Sequence, residues 1–145
     1  IERGAASADV RAYVDTQVRA FGADFDRLVR GVRDRAPGAF IVVLNLPNFA
    51  VLPYASGYSA TRRQVLQAIS VGFSREANDQ RGNGVMVVDL MCDTRTYEAG
   101  RFSNDGFHPN DAGYAQIAGK LLDAIHGSTA APPASCPQMT MLPRL

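Results

Sequence analysis

Phe40-Ile41-Val42-Val43-Leu44 and, further along, Val85-Met86-Val87-Val88-Asp89-Leu90 decide the fold. Neither stretch alternates apolar with polar residues, which is the pattern of strands covered on both faces in a parallel sheet. Between them Val65, Ile69, Phe73 and Ala77 recur every fourth residue and predict a helix over roughly residues 60–80. Thr61 and Gln64 have capping-box spacing at its start, and Gly82-Asn83-Gly84 stops it. Strand, helix and parallel strand make a right-handed crossover unit.

Upstream, Val10, Val14, Val18, Phe21, Phe25, Leu28 and Val32 step by three or four, one face of a long amphipathic helix over roughly residues 8–35. Ser7 is placed to cap it, Arg33 and Arg35 suit the negative end of its dipole, and Pro37-Gly38 ends it. Downstream, Ala115, Ala118, Leu121, Leu122 and Ile125 mark a third helix ending at Gly127. The order α-β-α-β-α predicts an α/β layer with helices on both faces of a parallel sheet. Two strands fall short of the ~5–6 of an ordinary sheet, and an unpaired apolar edge is an aggregation hazard. Part of the domain is therefore expected to lie outside this sequence. Residues 1–127 read as part of one domain and residues 128–145 as an Ala/Pro-rich tail with Cys136 as its obvious anchor.

The 145 residues carry 15 basic and 14 acidic side chains, a net charge of +1, and 46% of them are hydrophobic. That composition belongs to a folded domain with a core, and its scattered bases make nucleic acid an unsuitable partner. The apolar runs are far short of the ~20 residues of a membrane-spanning helix. The first residue is Ile1, not Met, so the reading is expected to start after a cut, of a leader or of something larger. Cys92 and Cys136 allow one disulfide, and with it an oxidising, secreted or periplasmic setting, or two free buried thiols. Pairing is the expectation, because Cys92 closes the second strand and the tail has little else to hold it.

The chemistry concentrates in Asn104-Asp105-Gly106-Phe107-His108-Pro109-Asn110-Asp111-Ala112-Gly113-Tyr114. Asp105 and His108 stand three apart before a helix, with Gly106 and Pro109 favouring a turn that sets carboxylate against imidazole. A carboxylate accepting Nδ1–H fixes the tautomer and leaves Nε2 to take a proton from a nucleophile. Taken alone, such an Asp is more often a turn former and such a His more often satisfies a backbone group. The longer string DGFHPNDAGYAQIA, residues 105–118, closely resembles the last sequence block of the SGNH (GDSL-type) serine hydrolases, in which D-x-x-H-P carries the catalytic Asp and His. Val43-Leu44-Asn45-Leu46-Pro47 and Val87-Val88-Asp89-Leu90 also look like strand ends of that family's second half.

The resemblance implies a three-layer α/β/α, flavodoxin-like parallel sheet missing its amino-terminal strands, and an esterase or lipase with His108 as general base and Asp105 as its orienting partner. The family's Gly-Asp-Ser block and the Gly and Asn of its oxyanion hole have no counterpart here. Gly57-Tyr58-Ser59 and Gly72-Phe73-Ser74 imitate the block, but neither follows a buried strand. The nucleophile is thus expected from an amino-terminal segment of the same hydrolase, in line or as a separate chain, and this chain alone is expected to be inactive. No cofactor is required. Phe49, Val51, Leu52 and Tyr54 follow the carboxyl end of a strand, where such sheets put ligands, and with Phe107 are candidates for binding an ester's acyl part; a loop packed on its own core is the equal alternative. His126 reads as a helix cap, and Asp89 with Asp93 lacks a third ligand for a metal. The rival reading is a non-catalytic α/β binding or interaction module derived from the same fold.

Overall fold

The computed structural model describes residues 7–145. Helix α1 spans Ser7–Arg35, strand β1 Val42–Leu44, helix α2 Ala60–Asp79, strand β2 Met86–Val88 and helix α3 Asp111–Ile125, in the expected order. The strands are shorter than their apolar runs: Phe40 is 60% exposed and stays outside β1. They pair in parallel, Val42 with Met86, Val43 with Val87 and Leu44 with Val88, and form a two-stranded sheet among the described residues.

Alternation along the strands sends Ile41, Val43, Val85 and Val87 to one face, where they pack with Phe25 and Val29 of α1. Val42, Leu44, Met86 and Val88 project to the other face, and α3 packs against β2. Helix α1 also lies along α2, with Phe21 stacked on Phe73 at 4.3 Å between ring centres. The apolar series of α1 is correct at Val14 but drifts: Val29 is buried while Leu28 and Val32 are exposed. Val14, Val18, Phe21, Phe25 and Val29 keep one 3.6-residue stripe toward α2 and the sheet, and Leu28 falls about 100° off it. The capping expected of the Ser7 side chain lies outside the described residues. At the other end Arg33 donates to the carbonyls of Ala39 and Gly84, tying the helix end to the turn before β2.

Helix α2 is capped by Ser59, whose Oγ accepts from Arg62 N, and not by the Thr61–Gln64 pair, which lies inside the helix. Its Val65 and Ala77 are buried as the period requires. Gly84, at φ +73°, ends the turn that follows. The segment Asn45–Tyr58 contains two single turns of 3-10 helix, Phe49–Val51 and Pro53–Ala55.

Cys92 and Cys136 form a disulfide, as expected. The final segment is held by more than that bond: Gln138 and Met139 are buried, Asn48 Nδ2 donates to Gln138 O at 2.7 Å, and Gln67 bonds both backbone groups of Leu142. Met139 packs with Val71 and Met91 beside the two cysteines. The cross-link spans a sequence separation of 44, for which the loss of loop-closure entropy predicts a stabilisation of about 3–4 kcal/mol. Replacing both cysteines by Ala is expected to lower the free energy of denaturant unfolding by that amount, and the native, unreduced protein is expected to show no titratable thiol.

Candidate active site

Asp105, Gly106, Phe107 and His108 form a tight loop between the turns after β2 and the start of α3. One oxygen of Asp105, Oδ1, accepts from the backbone N–H groups of Phe107 and His108 at 2.9 and 3.0 Å, an Asx turn that curls the chain back on itself. The other, Oδ2, lies 2.6 Å from His108 Nδ1. The hydrogen bond to His108, followed by the two backbone N–H groups, lowers the Asp105 carboxyl to about 2. An ionised carboxylate can only accept, so Nδ1 donates to it, and in the neutral ring that tautomer leaves Nε2 as the acceptor. The imidazole is largely exposed.

The surrounding letters of the string each have a task. Gly106 stands at φ +67°, and a Cβ there would meet Tyr54 N at 2.7 Å, so both the turn and the close approach demand glycine. Gly106 O accepts from Tyr54 N at 3.1 Å, which fastens the loop to the segment after β1. Ser103 N donates to His108 O, and Phe102 bridges to Pro109 across the base of the loop. Asn110 caps α3 through Gly113 N while its Nδ2 donates to the carbonyls of Gly100 and Phe102. Gly113 packs directly against Arg101 O, where a Cβ has no room.

Beside this loop lies a cavity of about 230 Å³ at the carboxyl ends of the strands. Its walls are mainly apolar: Leu46, Leu90, Phe102 and Ile117 join Phe49, Leu52 and Phe107, with His108 at the border. Among the residues expected to bind an acyl group, Phe49, Leu52 and Phe107 line the cavity; Val51 and Tyr54 do not. Leu46, Leu90, Phe102 and Ile117 escaped sequence reading because they lie far apart along the chain, and only the fold brings them together.

A family model described as the GDSL-like Lipase/Acylhydrolase family matches residues 3–116, most of the chain and all of the Asp105–His108 loop. The chain belongs to this family. No curated protein and no solved structure shows a significant match to it. Membership in a GDSL-like acylhydrolase family assigns the general chemistry, hydrolysis of acyl esters.

The two imitations of a nucleophile block serve other ends. Ser59 caps α2, and the buried Ser74 hydroxyl donates to Leu46 O and accepts from Leu46 N. Asp89 accepts from Asn45 Nδ2 and Cys92 N. Asp93 pairs with Lys120 at 2.7 Å and Arg95 at 2.9 Å; partial burial pushes its carboxyl up, but these bonds outweigh that and hold it well below the usual range. Among the described residues no cluster of three or more His, Cys, Asp or Glu gathers to hold a metal. His126 is the C-cap of α3, where its backbone N–H donates to Leu122 O.

The folded pKa of Asp105 lies below its ordinary value of 3.8, so the folded state binds the ionised form better. Its contribution to stability is present in full above that ordinary value and is lost as the pH falls through about 2. A carbon-13 titration of the Asp105 carboxyl is expected to show it ionised at pH 3, and Asp105→Asn is expected to flatten the acid side of the stability profile.

Proposed function

We propose that this chain is the His–Asp part of a serine esterase or lipase of the SGNH type. The observation that carries the reading is the Asp105 Oδ2–His108 Nδ1 contact of 2.6 Å at the border of an apolar cavity. In that arrangement His108 Nε2 accepts the hydroxyl proton of a serine as its Oγ attacks the ester carbonyl carbon. Asp105 holds the ring and stabilises the imidazolium that forms. Collapse of the tetrahedral intermediate expels the alcohol with the proton from Nε2, and water, activated by the same nitrogen, releases the acid and regenerates the serine. Phe49, Leu52 and Phe107 receive the acyl part.

The serine and the oxyanion donors come, on this reading, from an amino-terminal segment of the same hydrolase, which also adds strands beside β1. Three features support it. Among the described residues β1 pairs on one side only. Tyr114, Leu122 and Ile125 leave an apolar face of α3 exposed. The family-like serine positions within the chain are spent on capping and on Leu46. The disulfide supports a secreted or periplasmic site of action.

Residues 1–145 alone are expected to leave a chromogenic ester intact, and adding the preceding segment, in line or as a second chain, is expected to restore turnover. In the active form His108→Ala is expected to reduce kcat by at least about 10³-fold and Asp105→Asn by less, because the two backbone bonds to residue 105 keep the loop formed. Full turnover by His108→Ala refutes the assignment of the base, and turnover by residues 1–145 alone refutes the placing of the nucleophile. Hydrolysis by neither form leaves the binding-module reading.

A further inference from the structure

A single hydrogen bond does not fix an exposed ring. His108 is held at Nδ1 by Asp105, and rotation about that contact swings Nε2 through an arc. The second hold comes from Phe107, whose ring meets the imidazole edge-on, 5.0 Å between centres and 87° between planes. Phe107 is itself gripped from the segment after β1. Tyr54 meets it edge-on at 4.9 Å and Phe49 lies tilted against it at 5.5 Å. Tyr54 in turn stands edge-on to Tyr58 at 5.6 Å, and the Arg62 guanidinium caps the Tyr58 ring at 3.6 Å. The chain of contacts thus runs from the first turn of α2 to the imidazole. Its backbone counterpart is the Tyr54 N–H bond to Gly106 O, in the residue between the Asx-turn carboxylate and Phe107.

Tyr54 does not line the apolar cavity, although it follows the strand end where ligand-binding residues are expected. We propose that Tyr54 is a positioning residue for His108, acting through Phe107, so that the segment after β1 sets the direction of Nε2. The proposal rests on the reading of His108 as the general base for its kinetic consequence, but not for its structural one. The tyrosine hydroxyl has no part in it; the ring edge does. Both contacts, at 73° and 87° between planes, are the edge-to-face arrangement that aromatic rings favour, and through them the segment after β1 bears on the imidazole.

The test uses the full-length polypeptide labelled with nitrogen-15 at histidine, His126 serving as the internal control. In Tyr54→Ala the His108 ring resonances are expected to shift and broaden and the Nδ1–H signal to exchange faster, while those of His126 stay in place. Tyr54→Phe, which keeps the ring, is expected to retain the unsubstituted His108 spectrum. In turnover assays Tyr54→Ala is expected to lower kcat about tenfold with KM for a short-chain ester within about twofold, the signature of a misdirected base and not of a lost binding contact. If Tyr54→Ala does not fold, Tyr54→Leu, which keeps apolar bulk without an aromatic edge, replaces it with the same expectations. Unchanged His108 resonances in the folded variant overturn the proposal, as does loss of the spectrum in Tyr54→Phe. If the resonances move as expected and the unsubstituted protein hydrolyses no ester, the esterase reading fails and the positioning role stands.

Discussion

Four polar side chains on α2 hold the exit of β1, and the candidate site depends on them. Gln67, Ser70, Ser74 and Asn78 follow one another at helical spacing along the face toward the sheet. Asn78 Oδ1 accepts from Asn45 Nδ2, Ser74 satisfies both backbone groups of Leu46, Ser70 Oγ accepts from Phe49 N, and Gln67 Oε1 accepts from Asn48 Nδ2. A strand end that turns inward leaves N–H and C=O groups that cost about 1–3 kcal/mol each if buried without a partner. Ser74 and Ser70 supply such partners to the backbone of Leu46 and Phe49, while Asn78 and Gln67 hold the side chains of Asn45 and Asn48, so the chain leaves the sheet along a fixed path. Asn45, only 1% exposed, extends the arrangement to β2: its Oδ1 accepts from Leu90 N and Met91 N, and its Nδ2 donates to Asp89. Both strands are therefore closed by one carboxamide at the rim where the cavity opens.

From that rim the placement of the Asp105–His108 loop follows. Phe49 and Leu52 enter the cavity wall because Asn48 caps the 3-10 turn that carries them, and Asn48 is fixed by Gln67 and by Gln138 O. The final segment, clamped by the disulfide and by Gln67, thus stabilises a wall that it does not touch. On the other side Asn110 holds the loop by its two ends, bonding carbonyls before it and the helix after it. The loop then needs no burial of its own. Its carboxylate is satisfied by N–H groups two and three residues away, and this lets the Asp105–His108 pair stay open to solvent while keeping its geometry.

The apolar skeleton was legible in the sequence, and the polar one was not. Unalternating Val and Ile runs and the four-residue steps in α2 pointed to the right elements because burial of apolar area acts residue by residue and leaves a period behind. Gln67, Ser70, Ser74 and Asn78 have the same helical spacing, but a polar row usually faces water, and only the strand exit opposite gives it meaning. The same holds for Ser59 against Thr61 as the cap of α2: both are good cap residues, and where the chain leaves its turn decides between them. Leu28 and Val32 extended the stripe of α1 by pattern, though what α1 meets ends at Val29 and Val85. In the Asp105–His108 loop the opposite is true of the carboxylate, since each bond that Asp105 accepts spans three residues or fewer and the local letters set that turn. The cavity was half legible, Phe49, Leu52 and Phe107 from chain position and the rest only from the fold.

The geometry of a parallel sheet links the two things this chain is proposed to need. All strands of such a sheet run one way, so their carboxyl ends share one rim. Asn45 to Leu52 and Leu90 occupy that rim, and the cavity bordered by His108 opens there. A strand added in parallel to the free side of β1 delivers its own carboxyl-terminal loop to the same rim, next to Leu46 and Phe49. A serine on such a loop approaches the cavity without any rearrangement of the chain described here. Completing the hydrogen bonds of β1 and bringing a nucleophile toward Nε2 are then one structural event, and the exposed Tyr114, Leu122 and Ile125 offer an apolar surface for a helix that continues from it. An added segment that paired elsewhere would leave β1 bonded on one side and its serine at a different edge, so the edge of β1 that is unpaired among the described residues and the direction of His108 constrain the same proposed segment.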